Sequence, residues 1–375
     1  MTAPANIESV VGQYVPLDLV DRIDDLGGAG GFSGARLWRI HRRNGSEYAV
    51  GTTEGRDLAA DFYADRRFSA AGSVFCLRRW PAGHPAPDRL AWIHRILLGV
   101  HREARLPVAV PLPSRGGSTI LVHGGALWEL TAWMPGHADF AARPSRNRVL
   151  AALRFLADFH DGAARIDGAV RTAVPEVVGA RLRQLDECQR SLAAQLAQVP
   201  PDDGWPALRQ LVRPTVELFR ACAERIRVQL VNWKHAVPIV PCVRDIWHAH
   251  LFFLESQLVG VVDFGAMKQE TVAGDLSRLL GSLLQYTDLP WSDGLDAYAA
   301  IRRLGDPERE LVTLLDESAA LLTPLQWLQW LLLDRRRFDD PRAVELRFFE
   351  SFRRLCWLAG DAGSAAASID PAKRG

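Results

Sequence analysis

The stretch IVPCVRDIWHAHLFFLESQLVGVVDFG, residues 239–265, decides the fold of this chain. One apolar run ends just before the loop that carries Asp245, and a second apolar run begins after His250. The polar residues 255–257 predict a turn, and the apolar run after them ends at Asp263. Because a hairpin brings its entrance and exit together, we expect Asp245 and Asp263 to lie at one rim.

Around this stretch, the pattern changes from strands to helices along the chain. Alternating side chains over 35–42 and 73–80 predict strands, and a glycine-dense turn at 27–34 precedes the first of them. Helical spacing predicts one helix over 88–104, capped by Asp88, and another that begins after the cap Ser145. Further helices are predicted over 181–198, 205–230 and 291–303, with a last pair between 306 and 358. The sequence therefore predicts an α+β protein with a strand-rich front and a helix-rich back.

Composition excludes several classes of protein. The 375 residues are 48% hydrophobic and 24% charged, as in an ordinary globular protein, and single cores usually stop growing at about 250–300 residues, so two lobes are expected. A net charge of +1 gives no reason to expect nucleic acid or a membrane as partner. The five cysteines lie far apart and no signal peptide is visible, which favours a cytoplasmic protein without disulfides.

Lysine is almost missing from this chain. The lysines are Lys234, Lys268 and Lys373, so any cation needed in the first 233 residues must be arginine or histidine.

The deciding stretch and five further motifs resemble the aminoglycoside phosphotransferase and choline kinase family. These motifs are, in order, GGFSGARLW (30–38), FCLRRW (75–80), LTAWMPG (130–136), FLADFH (155–160) and VAGDLSRLLGSL (272–283). The resemblance implies a two-lobed protein-kinase-like fold. Its small antiparallel-sheet N-lobe with one helix would cover 1–132, and its larger, mostly helical C-lobe would cover 133–360. Residues 361–375 are mostly small and polar, a composition that predicts a disordered tail.

The resemblance also implies an activity, the ATP-dependent phosphorylation of a hydroxyl on a small metabolite or antibiotic-like molecule. Asp245 would be the catalytic base, Asp263 and His250 would bind Mg²⁺, or alternatively Mn²⁺, and Arg244 and Asp275 would support the loop. The implied nucleotide-binding residues are Gly28, Gly30, Gly31, Ser33, Gly34, Arg78, Thr131, Ala132, Trp133 and Met134, and the backbone of the last four would contact the adenine.

The sequence departs from the family pattern at several positions. The His-Gly-Asp opening usual in the family reads Val243-Arg244-Asp245 here, which leaves the role of the histidine unfilled. His250 stands where the kinase loop has asparagine, and imidazole suits softer metals than Mg²⁺ better. Arg78 replaces the strand lysine, although its guanidinium can still bind phosphate oxygens. The helix glutamate that pairs with this cation has no obvious counterpart, since His94 lies near its place and Glu103 lies more than two turns on.

These departures keep two alternatives open. The first is a nucleotide-binding pseudokinase with little or no catalysis. The second is a metallohydrolase built on His248, His250 and Asp263, although no histidine follows His250 to complete a typical zinc site. The sequence leaves the acceptor and the choice between monomer and homodimer open.

Overall fold

The computed structural model describes residues 7–28, 34–43, 52–53, 56–57, 74–199, 205–338 and 340–360. The strands among them are β1 (Val20–Gly27), β2 (Arg36–Arg42), β3 (Thr52–Thr53), β4 (Arg56–Asp57), β5 (Val74–Arg79), β6 (Pro111–Leu112), β7 (Leu121–His123), β8 (Ala126–Ala132), β9 (Arg171–Ala173), β10 (Val237–Cys242), β11 (Leu251–Leu254), β12 (Gln257–Val261) and β13 (Lys268–Glu270). The α-helices among them are α1 (Ile7–Val11), α2 (Pro87–Ala104), α3 (Arg146–Asp167), α4 (Glu176–Glu187), α5 (Ala193–Ala197), α6 (Pro206–Arg209), α7 (Val212–Asn232), α8 (Val272–Leu283), α9 (Trp291–Ala299), α10 (Asp306–Leu328) and α11 (Pro341–Leu358).

The chain divides into two compact units. The first comprises Met1–Val170, Val240–Gln269 and Arg278–Leu304, and the second comprises Arg171–Ile239, Glu270–Ser277 and Gly305–Gly375. The predicted lobes, which meet after residue 132, differ from these two units, and that lobe boundary stays a prediction. The predicted tail, residues 361–375, lies outside the described residues.

An antiparallel sheet in the order β1-β2-β5-β8-β6, with β7 paired to β8, forms part of the first unit. Phe75 and Leu77 of β5 pack in a buried core with Trp128 of β8 on one face of this sheet. Because side chains alternate along a strand, Arg78 belongs to the opposite face. Strands β2 and β5 confirm the two strands predicted over 35–42 and 73–80.

Helix α2 confirms the helix predicted over 88–104, but the predicted cap is wrong. Ala86 is the N-cap, Pro87 occupies the first turn, and Asp88 lies inside that turn. Proline is favoured there because its missing N–H would have no helical partner. At α3 the predicted cap is confirmed, since the Ser145 hydroxyl accepts the Arg148 backbone N–H at 3.3 Å.

Strands β11 and β12 form the predicted antiparallel hairpin. Backbone hydrogen bonds fix it on both sides within the first unit. The Val261 carbonyl accepts the Ala109 N–H at 3.1 Å, and Phe253 exchanges two hydrogen bonds of 3.0 Å with His137. These bonds hold the hairpin against the segment before β6 and the segment after β8, so the loop before β11 and the residues after β12 have a rigid support.

The second unit contains the long helices α7, α10 and α11. Arg225 of α7 pairs with Glu317 of α10 at 2.9 Å, and Arg354 of α11 pairs with Asp316 of α10. Helices α10 and α11 confirm the last predicted helix pair. No helix in the described part of the chain is long and apolar enough to cross a membrane.

Candidate active site

An uncommon backbone angle occurs at one of the two candidate carboxylates and next to the other. Arg244, next to Asp245, has a φ of 66°, and Asp263 itself has a φ of 67°. A positive φ is uncommon for residues other than glycine, and such strain is concentrated at functional sites. The strain at both ends of the hairpin marks this rim as a candidate site.

His250 links the two carboxylate residues. Its Nδ1 lies 2.8 Å from the Asp245 carbonyl oxygen, and its Nε2 lies 3.7 Å from Asp263 Oδ2. Its carbonyl accepts the Val262 N–H at 3.1 Å, which ties the loop to the end of the hairpin. The structure therefore brings Asp245, His250 and Asp263 together, as the sequence predicts.

Trp247 determines the protonation state of His250. The Trp247 indole N–H donates to His250 Nε2 at 2.8 Å, while the opposite ring nitrogen faces a carbonyl, which can only accept. His250 must therefore carry its proton on Nδ1 and be neutral. Burial, opposed by Asp263 and Asp245, also lowers the pKa of His250.

Arg78 contacts Asp263 directly. Its Nη1 lies 3.1 Å from Asp263 Oδ1, and its guanidinium carbon lies 4.7 Å from the centre of the Trp80 ring. Burial alone would raise the pKa of Asp263, but Arg78 and His250 outweigh it, so this pKa lies below its ordinary value. Asp263 is therefore an ionised carboxylate at neutral pH.

Glu129 completes the surroundings of Arg78, and sequence reasoning missed it. The two residues are cross-strand partners in β8 and β5, and Glu129 Oε1 lies 3.6 Å from Arg78 Nε. His94 of α2 donates from Nε2 to Glu129 Oε2 at 2.7 Å, and its Nδ1 lies 2.8 Å from Thr119 Oγ1. Burial would raise the pKa of Glu129, but His94 and Arg78 lower it below its ordinary value. The acidic partner of the cation thus comes from a strand, and the helix supplies a histidine.

Arg278 is a second residue that sequence reasoning missed. Its Nη2 pairs with Asp245 Oδ1 from helix α8. The Asp245 side chain is 40% exposed and that of Arg278 is 49% exposed, so solvent and small molecules can reach both groups. Arg278 can therefore fix the orientation of the candidate base without burying it.

The segment after Asp263 is held by Arg89 of α2. Its guanidinium donates to the carbonyls of Met267 at 3.0 Å and Gly265 at 2.9 Å. A Cβ on Gly265 would lie only 2.6 Å from the Trp80 ring, so glycine is required for this close approach. Asp263 is therefore followed by a turn that is fixed from two sides.

Comparison of the sequence with known protein families identifies the family of this chain. The phosphotransferase enzyme family matches residues 54–312, more than half of the chain. The chain belongs to the phosphotransferase enzyme family.

One curated relative of this phosphotransferase-family protein is the homoserine kinase of Granulibacter bethesdensis (strain ATCC BAA-1260 / CGDNIH1). The two are 28% identical over 208 residues, which is 50% of this chain and 64% of the relative. The chain thus spans slightly less than two thirds of the length of this relative.

Solved structures of the family share the fold. The crystal structure of a spectinomycin phosphotransferase with ADP and spectinomycin superposes with a TM-score of 0.62 and 10% identity, covering 96% of this chain and 99% of the other. An aminoglycoside phosphotransferase from Alicyclobacillus acidocaldarius gives 0.53 and 15%, covering 98% of both chains. A choline/ethanolamine kinase family protein from Mesorhizobium loti gives 0.51 and 15%, covering 94% and 97%. The predicted kinase-like α+β fold is confirmed.

The predicted adenine-contacting residues lie where this family member leaves its sheet. Thr131 and Ala132 end β8, and the Trp133 N–H donates to the Val74 carbonyl at 3.1 Å. Met134 is buried, and a Cβ on Gly260 of β12 would lie 2.9 Å from it. The segment thus runs from the sheet to the hairpin, and its contact with adenine stays a prediction.

The roles of several other predicted site residues of this phosphotransferase-family protein stay predictions. Gly28 lies in the turn after β1, and Gly34 has a φ of 78°. Gly30, Gly31 and Ser33 lie outside the described residues. Arg244 is exposed, and Asp275 is buried in the first turn of α8.

His248 gives the metallohydrolase alternative no support. Its ring packs edge-on against Trp247 and Tyr286, with centroid distances of 4.8 and 5.1 Å. Its backbone N–H donates to the Ser282 hydroxyl at 3.0 Å. His248 thus belongs to an aromatic cluster in the loop.

Proposed function

We propose that this protein transfers the γ-phosphoryl group of ATP to a hydroxyl group of a small molecule. The observation that carries the proposal is that His250 contacts both the Asp245 carbonyl and the Asp263 carboxylate, which in turn pairs with Arg78. Phosphoryl transfer needs a carboxylate near the attacking hydroxyl and charges that position the phosphates, which are the groups this rim contains.

Asp245 supplies the base. As the acceptor oxygen forms its bond to the γ-phosphorus and the bond to the β-phosphate oxygen breaks, the hydroxyl proton passes to the Asp245 carboxylate. Arg278 holds Oδ1 of that carboxylate, which leaves Oδ2 to accept the proton. The partial exposure of Asp245 lets a small acceptor reach it.

Arg78 supplies positive charge for the phosphates. Glu129 and Trp80 hold its guanidinium from two sides, so its position is defined before any phosphate binds. A guanidinium can bind two phosphate oxygens through its fork. An arginine can therefore do the work of the strand lysine that this chain lacks.

Asp263 is a suitable ligand for a divalent cation, which would supply positive charge to the phosphates. Its carboxylate is ionised, and Oδ2 is not the atom that Arg78 contacts. His250 fits less well, because the Trp247 N–H already occupies its Nε2 lone pair. Of the two predicted metal ligands, Asp263 and His250, Asp263 is therefore the better suited.

Hydroxylated amino acids are the first acceptors to examine. The curated relative is a homoserine kinase, so homoserine heads the panel, followed by choline and spectinomycin from the names of structural relatives. Arg278, half-exposed beside the base, can form an ion pair with the carboxylate of such an acceptor.

The deciding experiment compares wild type with Asp245→Asn. Phosphate transfer from radiolabelled ATP should fall about 10²–10⁴-fold in the variant, because the base is lost. ATP affinity, measured by calorimetry, should stay within about twofold, since Asp245 does not contact the nucleotide in this proposal. The matched control is Asp18→Asn, at an exposed residue more than 200 positions before Asp245, and it should keep full activity. Full activity in Asp245→Asn would refute the assignment.

The second candidate is a nucleotide-binding pseudokinase. The observation that favours it is the pairing of Asp263 with Arg78 and of His250 with Trp247, which engages both predicted metal ligands. In that case ATP would bind equally with and without metal, and no acceptor in the panel would be phosphorylated. Metal-dependent binding with turnover would exclude it.

A further inference from the structure

The hydrogen bond between Trp247 and His250 gives the strongest clue to something beyond the proposed reaction. His250 Nδ1–H donates to the Asp245 carbonyl, so the ring is fixed with its lone pair on Nε2. That lone pair lies 3.7 Å from Asp263 Oδ2, close enough for both atoms to bind one metal ion. The indole N–H of Trp247, 2.8 Å away, lies against the same nitrogen.

Direct coordination and this hydrogen bond exclude each other. Nε2 of a neutral imidazole has a single lone pair, and a metal ligand must present that lone pair to the ion. The Trp247 and His250 rings also touch edge-on, with centroids 5.2 Å apart, so the indole is held in place by packing as well as by its N–H. His250 is buried, which prevents water from replacing the indole.

We propose that Trp247 is a specificity-determining residue that keeps His250 out of the metal coordination sphere. The inference rests on the proposed function in that a divalent cation binds at Asp263. With the imidazole nitrogen engaged by the indole, the protein offers the ion carboxylate oxygen, the type of ligand that Mg²⁺ prefers. Without the indole N–H, the same site would offer nitrogen and oxygen together, which favours Mn²⁺ and Zn²⁺.

The test measures whether a histidine nitrogen binds the metal. Mn²⁺ and a non-hydrolysable ATP analogue are added to wild type and to Trp247→Phe, and electron spin-echo modulation detects nitrogen on the ion. Comparing protein labelled with ¹⁵N-histidine with unlabelled protein separates histidine from nucleotide nitrogen. We expect no histidine signal in wild type, a clear one in Trp247→Phe, and its loss in Trp247→Phe/His250→Asn.

Affinity gives a second measurement. Mn²⁺ should bind Trp247→Phe about tenfold more tightly than wild type, while Mg²⁺ affinity should change little. Trp357→Phe, at a tryptophan that is 67% exposed, is the matched control and should behave as wild type.

Two results would overturn the inference. One is a histidine signal in wild type that disappears in His250→Asn, a single variant that needs no change at Trp247. The other is a Trp247→Phe protein that folds and binds Mn²⁺ without such a signal. If the wild-type protein phosphorylates an acceptor, either result leaves the proposed function standing. If the wild-type protein neither phosphorylates an acceptor nor binds Mn²⁺, the proposed function and this inference are both wrong.

Discussion

Acidification should destabilise the surroundings of the candidate site through Glu129. Its pKa is lowered in the folded protein by His94 and Arg78 against the effect of burial. A carboxyl group whose folded pKa lies below its unfolded value, about 4.3, stabilises the fold above that value. The contribution is lost as the pH falls through the folded pKa.

We therefore expect Glu129→Gln to lower the free energy of unfolding by about 1–3 kcal/mol at pH 7, because charge-assisted bonds to Arg78 and His94 are lost. The difference from wild type should shrink as the pH falls below the unfolded value, because the unfolded chain then binds a proton at Glu129 that the folded protein binds only at lower pH. Urea unfolding at pH 7, 5 and 3.5 measures it. Glu103→Gln, at an exposed glutamate of α2, is the control and should match wild type at every pH. An equal deficit at pH 7 and 3.5 would contradict this account.

Arg278 should affect turnover and leave stability almost unchanged. Half-exposed ion pairs contribute about 0–1 kcal/mol, so Arg278→Gln should unfold nearly as wild type does. Its kcat should fall about tenfold, because Asp245 loses the group that orients it, an effect within the range of a misaligned catalytic base. Arg146→Gln breaks a similar exposed pair with Asp293 and serves as the control. Equal kcat values for the two variants would argue against an orienting role.

The sequence predicted those site residues that a local pattern marks. Asp245 and Asp263 stand where apolar runs end, so their meeting follows from a hairpin alone. Glu129 is different, because it faces Arg78 only through the register of β5 against β8, and no local pattern contains that register. The Trp247 indole could not be predicted either, since its contact with His250 depends on a side-chain rotamer within the loop.

At the level of elements, the packing of α2 against α3 depends on one glycine. A Cβ on Gly99 would lie 2.5 Å from Ile166 Cδ1 and 2.9 Å from its Cγ1. Gly99→Ala should gain about 1 kcal/mol of helix propensity but lose more to this overlap, with a net destabilisation of about 1–2 kcal/mol. Thermal unfolding measures the result.

Gly274 is the matched control for Gly99. It also lies in a helix, α8, but a Cβ there would meet nothing within 4 Å. Gly274→Ala should therefore raise the free energy of unfolding by about 0.5–1 kcal/mol. If both substitutions shift stability in the same direction, close packing at Gly99 is not what decides its effect.

Helix ends were harder to predict than helices. The apolar periodicity of α2 is strong and aspartate is a common cap, yet Asp88 lies inside the first turn and Ala86 is the N-cap. The helix predicted over 181–198 begins at Glu176 and passes through a wider turn at Cys188–Leu192. Apolar periodicity is a property of several helical turns. It therefore indicates neither the exact first residue of a helix nor a single wider turn within it.

At the level of the whole molecule, the sequence could not show that the second unit is assembled from three separate segments, Arg171–Ile239, Glu270–Ser277 and Gly305–Gly375. Composition changes little where the chain passes from one unit to the other, so the sequence predicted two contiguous lobes. The last segment must therefore complete a hydrophobic core to which the earlier segments also contribute.

Helix α11 carries the apolar side chains that complete this core. Val344, Phe348, Phe352 and Leu355 are at most 3% exposed, and α11 packs against α10 and α7. Burying each side chain contributes about 2 kcal/mol, or about 8 kcal/mol together. That equals much of the stability of a typical protein, about 5–15 kcal/mol.

Deleting residues 341–375 should therefore abolish the cooperative unfolding of the second unit and expose the apolar faces of α7 and α10. Deleting 361–375 alone is the matched control, since α11 ends at Leu358 and the buried side chains remain. Urea unfolding followed by circular dichroism, with dye binding to apolar surface, compares the two. The longer deletion should lose its transition and bind dye, because the face of α10 that packs against α11 would be exposed to water. A full-length transition in the 341–375 deletion would mean that the core of this unit forms without α11.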